Sequence, residues 1–322
     1  MVDEAPPTEG IIYNPEAMEQ QERVKESLRP SKPGIWTVGD RLQLSLHTER
    51  GGAQYAWEDG HGSWYVLSEP GSLASEHHLL DEARELSPIY VAGPHAVWDL
   101  GTAFLKIIYP CSPLQTREHV TLKYMHQRKP SFAVPDVIYH GEWDGRYYLV
   151  VSRVPGQTLI KAWAGMSAEE QEKCVARVAD ICEELAAWPG GEKIQGVDGG
   201  DLTEYYISGS DPPDFSHEAM LKKCRELGMD VSNLMFYHCD MGPPNVLYDD
   251  NTGRLSVIDW ECAGFVPKEW IRTKFRLSGG MDLEEAEGES RYDYRRRVAA
   301  CLGDRGWGDV SERWVQIRRL ET

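Results

Sequence analysis

The 322-residue sequence predicts an α+β protein of two lobes, an N-terminal lobe of antiparallel sheet with one main helix and a larger, mostly helical C-terminal lobe. Three observations carry that prediction. Short apolar runs separated by Gly and Pro fill residues 89–108, apolar spacing turns helical after Pro155-Gly156, and three short strands between Leu234 and Ile258 end on polar residues.

Residues 1–34, rich in Pro, Glu and Gln, read as a loose arm with one short helix around Met18 to Leu28. The alternation Leu42, Leu44, Leu46 and the run Ser63 to Leu67 predict a hairpin linked through Gly51 and Gly52. Leu79, Leu80, Ala83 and Leu86 recur at helical spacing and extend the first lobe, which spans 35–154. Ile89–Ala92, His95–Leu100 and Ala103–Ile108, broken by Gly93-Pro94 and Gly101, predict a meander. Ser112, Pro113 and Gln115 match a capping box, so a helix is expected from Pro113, with Glu118, Leu122 and Met125 on one face. A carboxylate on an apolar stripe needs a cation, and Lys106 on the preceding strand is the candidate. Tyr147–Val154 reads as a strand closing the lobe. In the second lobe, 155–322, the capping box Ser167 and Glu170 precedes a core helix through Val175, Val178, Cys182 and Leu185.

The formal net charge of −18 opposes binding to nucleic acid or anionic membrane, because long-range repulsion acts with no basic tract to offset it. The opening MVDEAPPTEG lacks the basic start and apolar run of a secretory signal, and no apolar stretch is long enough for a membrane span. Seven scattered cysteines, with no metal-knuckle or redox-pair spacing, suit reduced thiols in a cytoplasmic protein.

The chemistry concentrates in Leu234–Glu261, LMFYHCDMGPPNVLYDDNTGRLSVIDWE. His238, Asp240, Asn245 and Asp259 fall where short strands end. An Asp, an Asn and a second Asp supply the oxygen ligands and the carboxylate that phosphoryl transfer requires. The order His-x-Asp-x-x-x-x-Asn, a hydrophobic strand and then Asp resembles the aminoglycoside phosphotransferase and choline kinase family, whose signature ends Ile-Asp-Trp-Glu. The segments GVDGGD at 196–201 and IDWECAGFVPKEW at 258–270 are similar to the large fungal group of such proteins. The resemblance covers about residues 88 to 275.

That resemblance implies a bilobal protein-kinase-like fold, ATP and Mg2+ as cofactors, and a small-molecule acceptor. It implies Asp240 as catalytic base, Asn245 and Asp259 as magnesium ligands, and Lys106, paired with Glu118, at the α and β phosphates. Backbone groups of Ser152 to Val154 would face the adenine, His238 would brace the loop, and Glu261 would touch the acceptor or support the loop. Trp260 and Trp270 read as core aromatics, and Arg295 to Arg297 as a solvated helix face. Pro267 and Lys268 follow Asp259 too closely for a long peptide-docking segment. Two departures stand out: only Gly93 and Gly101 occur between Ile89 and Lys106, and Pro243-Pro244 removes amide donors from the catalytic loop. They keep two alternatives open, a kinase-like cleft turned to non-phosphorylating biosynthetic chemistry, and a catalytically silent nucleotide-binding protein.

Overall fold

The computed structural model describes residues 15–71, 79–209, 212–284 and 286–321. The chain forms two compact units, one of residues up to Pro110 with Ile138–Arg153, the other of Cys111–Val137 with the residues from Val154 onward. The architecture is α+β, as the sequence predicts, with antiparallel sheets in the N-terminal part and most helices in the C-terminal part.

The first unit contains α1 (Pro15–Lys25) and ten strands: β1 (Leu28–Lys32), β2 (Ile35–Val38), β3 (Leu42–His47), β4 (Tyr55–Glu58), β5 (Trp64–Ser68), β6 (Tyr90–Ala92), β7 (His95–Asp99), β8 (Ala103–Ile108), β9 (Val137–Trp143) and β10 (Arg146–Ser152). They form two five-stranded sheets ordered β1-β2-β3-β5-β4 and β6-β7-β8-β10-β9. The expected pairing of Leu42–Leu46 with Ser63–Leu67 is present, with Leu44 opposite Leu67, and β4 adds on the far side of β5.

The two sheets share one core. Trp36, Leu44, Leu46, Trp57 and Tyr65 of the first cluster with Ala96, Trp98, Leu105, Ile107, Tyr148 and Val150 of the second. Alternation along each strand puts one apolar face inward, and burying it drives the sheets together. The Trp57 indole donates to the Leu100 carbonyl at 3.0 Å, and Gly101, at φ +80°, lies so close to Asp59 that a Cβ would sit 2.4 Å from its carbonyl carbon.

Three expectations need correction. Of the loose arm, residues 1–14 lie outside the described residues; the expected short helix is present at 15–25, but 28–32 pair with β2. Ser27, the Arg23 carbonyl and Arg146 tie this stretch to the second sheet. Residues 79–86 are not a helix. Leu79 bridges His47, Leu80 N–H donates to the Leu46 carbonyl, and the Arg84 guanidinium meets the buried Asp59 carboxylate at 3.0 Å. Helical spacing in so short a run is outcompeted by backbone pairing with the end of β3, beyond its last pair with β2. The helix expected from Pro113 starts at Glu118 as α2 (Glu118–Arg128): Ser112 Oγ accepts the Leu114 N–H at 3.1 Å as a cap would, but Thr116 N–H donates to the Asp201 carbonyl and Asp201 N–H to the Leu114 carbonyl, pairing this stretch with Asp201 in place of a helical turn.

The second unit holds α2, then β11 (Gln157–Thr158), α3 (Leu159–Ala162), α4 (Ala168–Ala186), α5 (Tyr205–Ser208), α6 (His217–Leu227), β12 (Leu234–Tyr237), β13 (Val246–Asp249), β14 (Arg254–Val257), β15 (Gly264–Pro267), α7 (Lys268–Leu277), α8 (Asp293–Asp304) and α9 (Ser311–Glu321). The Ser167–Glu170 capping box forms as expected at the start of α4, burying Val175, Val178, Cys182 and Leu185. Trp260 and Trp270 are fully buried. Of the three arginines expected to form a solvated face on α8, Arg296 is exposed, while Arg295 and Arg297 are largely covered, binding Asp282 at 2.5 Å and Glu172 at 2.8 Å.

If the first sheet is integral to the first unit's core, Leu44→Ala should cost about 2–5 kcal/mol. Denaturant unfolding followed by tryptophan fluorescence should show an early transition for that unit, and an unchanged midpoint would exclude the shared core.

Candidate functional site

Strand β12 delivers His238, Cys239 and Asp240 from its C-terminal end, and the hairpin β13–β14 delivers Asn245 at its start and Asp259 just past its end. All five lie in the second unit. β13 and β14 pair in register from Val246–Val257 to Asp249–Arg254, so the residues flanking the open end, Asn245 and Ile258, face each other, and Ile258 N–H donates to the Asn245 carbonyl at 3.0 Å.

His238 joins the two segments. Its Nε2 lies 2.8 Å from the Ile258 carbonyl, an acceptor only, and its Nδ1 accepts the Asp240 N–H at 3.1 Å. These partners fix a neutral ring with the proton on Nε2. The ring is fully buried edge-on to Trp260, with centroids 4.6 Å apart. Cys239 and Asp259 adopt left-handed backbone, φ 63° and 65°, which costs a residue with a Cβ about 1–3 kcal/mol each.

Asn245 grips Asp240 twice. Its Nδ2 donates to the Asp240 carbonyl at 2.9 Å and to the Asp240 Oδ2 at 2.8 Å. Both partners are acceptors, so the amide must present its NH2 to them and turn Oδ1 away. Asn245 Oδ1 and Asp240 Oδ1 accept no hydrogen bond from the described residues. Pro243 and Pro244 do not disrupt this loop, since its turn is closed by Asn245 N–H and Val246 N–H on the Gly242 carbonyl, at 3.0 and 3.2 Å.

Burial pushes the Asp240 carboxyl up to about 6, with Asp259 and Glu204 adding in the same direction while Lys274 and the Asn245 amide pull it down. Lys274 and Glu204, which the sequence reasoning missed, form a buried ion pair at 3.0 Å, and the Trp270 indole donates to Glu204 at 3.2 Å. They come from α7 and the start of α5, 70 residues apart in the chain. No local spacing could have linked them.

The other nominated residues divide between the units. Glu118 is buried with Leu122 and Met125, as its stripe predicts, and its Oε1 accepts the Trp260 N–H at 3.2 Å, holding the turn after Asp259. Trp260 is sandwiched between Phe132 and Phe236, at centroid distances of 6.1 and 6.4 Å. Glu261 follows in the short 3-10 turn Trp260–Cys262, and Val154, also in the second unit, is buried. Lys106 and Ser152 belong to the first unit, half-buried on β8 and β10, with Lys106 opposite Leu149 and Ser152 opposite Ala103. The links there are tight: Ala92 pairs with His95 across Gly93-Pro94, and Leu100 N–H closes on the Ala103 carbonyl.

Among the described residues, no three of His, Cys, Asp and Glu cluster as a self-sufficient metal site. Asn245 and Asp259 offer hard oxygen donors instead, the kind Mg2+ takes when water and phosphate complete its octahedron.

The Asp240 ionisation gives a test. In the unfolded chain the carboxyl titrates near 3.8, in the folded one near 6. Folding is therefore unpenalised below both values and loses stability as pH rises through 6, by about 3 kcal/mol for a shift of roughly two units. Asp240→Asn should stabilise the metal-free protein by up to that amount at pH 7–8 and not at pH 4, as read by urea unfolding at both pH values.

No curated protein sequence matches the chain. Among solved structures, the ADP-bound aminoglycoside phosphotransferase APH(2'')-Ib is similar at 14% identity and a TM-score of 0.48, over 72% of this chain and 81% of that one. A thermostable mutant of aminoglycoside phosphotransferase APH(4)-Ia is similar at 18% identity and a TM-score of 0.45, over 75% and 96%. Aminoglycoside-3'-phosphotransferase of type VIII is similar at 19% and 0.45, over 73% and 92%. The family model described as phosphotransferase enzyme family matches residues 98–267, more than half of the chain and the whole of the segment bearing His238, Asp240, Asn245 and Asp259. The chain belongs to the phosphotransferase enzyme family, with its kinase-like α+β fold.

Proposed function

We propose that the protein transfers the γ-phosphoryl group of ATP, with Mg2+, to a hydroxyl of a small molecule. The observation that carries this reading is the double grip of Asn245 on Asp240, which leaves one oxygen of each side chain uncommitted at the mouth of one loop. A base and a metal ligand held by each other suit a reaction whose catalysis is mostly positioning and charge stabilisation.

In this reading the Asp240 Oδ1 accepts the proton of the acceptor hydroxyl as its oxygen bonds to the γ-phosphorus and the bond to ADP breaks. Asn245 and Asp259 would hold magnesium, which supplies charge neutralisation on the phosphates. Asp259 is aimed by its left-handed backbone and by Glu118 on the following amide. His238 is a brace, because both ring nitrogens are already engaged. Lys106 is assigned to the α and β phosphates, Ser152 and Val154 to the adenine, and Glu261 to the acceptor side, all by the family pattern. The printed ligands of related structures, ADP, streptomycin and kanamycin, support a nucleotide and a polyhydroxylated cationic acceptor. The net charge of −18 favours the same kind of acceptor. The likeness of 196–201 and 258–270 to the fungal group points towards a specialised metabolite, and the free, scattered cysteines suit the cytoplasm.

One observation favours a second reading. The tight turn Gly93-Pro94 leaves no glycine-rich loop to clamp phosphates, which would suit a cleft adapted to biosynthetic chemistry without ATP.

Calorimetry with ATP separates them. Binding should require Mg2+ and weaken at least tenfold in Asp259→Asn, with Asp240→Asn lowering ADP release at least a hundredfold while binding persists. No binding at millimolar ATP would refute the phosphotransfer reading. Where ADP release is measurable, it should fall as pH drops below about 6, because protonated Asp240 cannot accept the hydroxyl proton. A pH-independent rate between 5 and 7 would remove Asp240 from that role.

A further inference from the structure

The turn after α7, Ser278-Gly279-Gly280-Met281, lies against the catalytic loop. A Cβ on Gly242 would sit 2.2 Å from the Gly280 carbonyl, so this close approach requires glycine at 242. A Cβ on Gly280 would meet two heavy atoms within 4 Å, Asp240 Oδ1 and Ser278 Oγ, each at 3.5 Å, and a Cβ on Gly279 would meet none. Gly279 and Gly280 are exposed, and the Asp240 Oδ1 beside them accepts no hydrogen bond from the described residues.

The turn is firmly held. Met281 N–H donates to the Ser278 carbonyl and Asp282 N–H to the Gly279 carbonyl, at 3.1 and 3.0 Å. Met281 is fully buried, and the buried Asp282 carboxylate is clamped by Arg291 at 3.2 Å and Arg295 at 2.5 Å. Gly280, without a side chain, thus stands in a fixed position beside the free oxygen of the proposed base.

We propose that Gly280 forms the acceptor-side wall of the site and determines its specificity, keeping Asp240 Oδ1 open to a hydroxyl on a branched or ring carbon. The inference rests on the phosphotransfer reading and names how its acceptor enters. A hydroxyl oxygen donating to Oδ1 stands about 2.7 Å from it. Its carbon and that carbon's substituents then occupy the shell around Oδ1 into which a Gly280 side chain would project from 3.5 Å. A slim primary alcohol can thread past a side chain there, whereas a branched carbinol cannot. Gly280 has no left-handed φ, so its lack of a side chain is not required by the backbone and alanine is conformationally allowed.

The test uses the full chain and no assumed acceptor. A branched, water-soluble carbodiimide with glycine ethyl ester is applied at pH 5.5, and amidation of Asp240 is read by peptide mass spectrometry, with exposed Asp250 as the internal control. Asp240 should label in the wild type, at most twofold less in Gly280→Ala, and at least tenfold less in Gly280→Phe, with Asp250 unchanged and melting temperatures confirming folded variants. An unlabelled wild-type Asp240, or equal labelling in Gly280→Phe, overturns the proposal. Because labelling needs no nucleotide, it is separable from the phosphotransfer reading, which fails on its own if the wild type does not bind magnesium and ATP.

Discussion

The site depends on one imidazole serving two masters. His238 donates to the Ile258 carbonyl and accepts the Asp240 amide, so the end of β12 and the end of β14 are held at a distance set by a rigid ring. Remove that ring and two buried backbone groups lose their partner, at about 1–3 kcal/mol apiece. Asp240 and Asp259 would then be free to drift apart. The ring must also stay neutral, since a proton on Nδ1 would confront the Asp240 N–H with a second donor.

Around that constraint the fold tolerates conflict. Two residues with a Cβ sit in left-handed backbone within the site, and Asp240 is buried near the carboxylates of Asp259 and Glu204. Lys274 answers both negative neighbours: it pairs with Glu204 and lowers the cost of charging Asp240. Without that cation the carboxylates of Asp259 and Glu204 would raise the Asp240 carboxyl further. The buried pair thus acts at a distance on the Asp240 carboxyl, and its own packing against Trp270 and Tyr206 keeps it in place.

The sequence made legible what is local. The strand-ending polar residues at 238–259, the Ser167–Glu170 capping box and the Glu118, Leu122, Met125 stripe all depend on spacings within a few turns or one hairpin. The failures came where a distant group competed for a local signal. Ser112 has the spacing of a helix cap, yet the backbone of Leu114 and Thr116 pairs with Asp201 of the loop 196–201 in place of a helical turn. Leu79 to Leu86 has helical spacing, yet backbone pairing with Leu46 and His47 at the end of β3, beyond its last pair with β2, and the ion pair of Arg84 with Asp59 hold it out of a helix. Lys274, Glu204 and Gly280 carry no motif at all, because their significance lies in what they approach.

The first sheet, which precedes the family match, explains how tight turns in the second sheet are kept in shape. Gly101 abuts the backbone of Asp59, Thr102 N–H donates to the Glu58 carbonyl at 2.9 Å, and the Arg153 guanidinium donates to the Gly101 carbonyl at 2.7 Å. The β7–β8 turn is therefore pinned from two sides. A flexible glycine loop gains phosphate contacts by ordering on the ligand and loses conformational entropy in doing so. A pinned turn has already lost that entropy, so whatever contacts it offers are offered without reorganisation. The scarcity of glycine between Ile89 and Lys106 and the pinning of the β7–β8 turn by the first sheet thus act in the same direction, towards a turn fixed in advance.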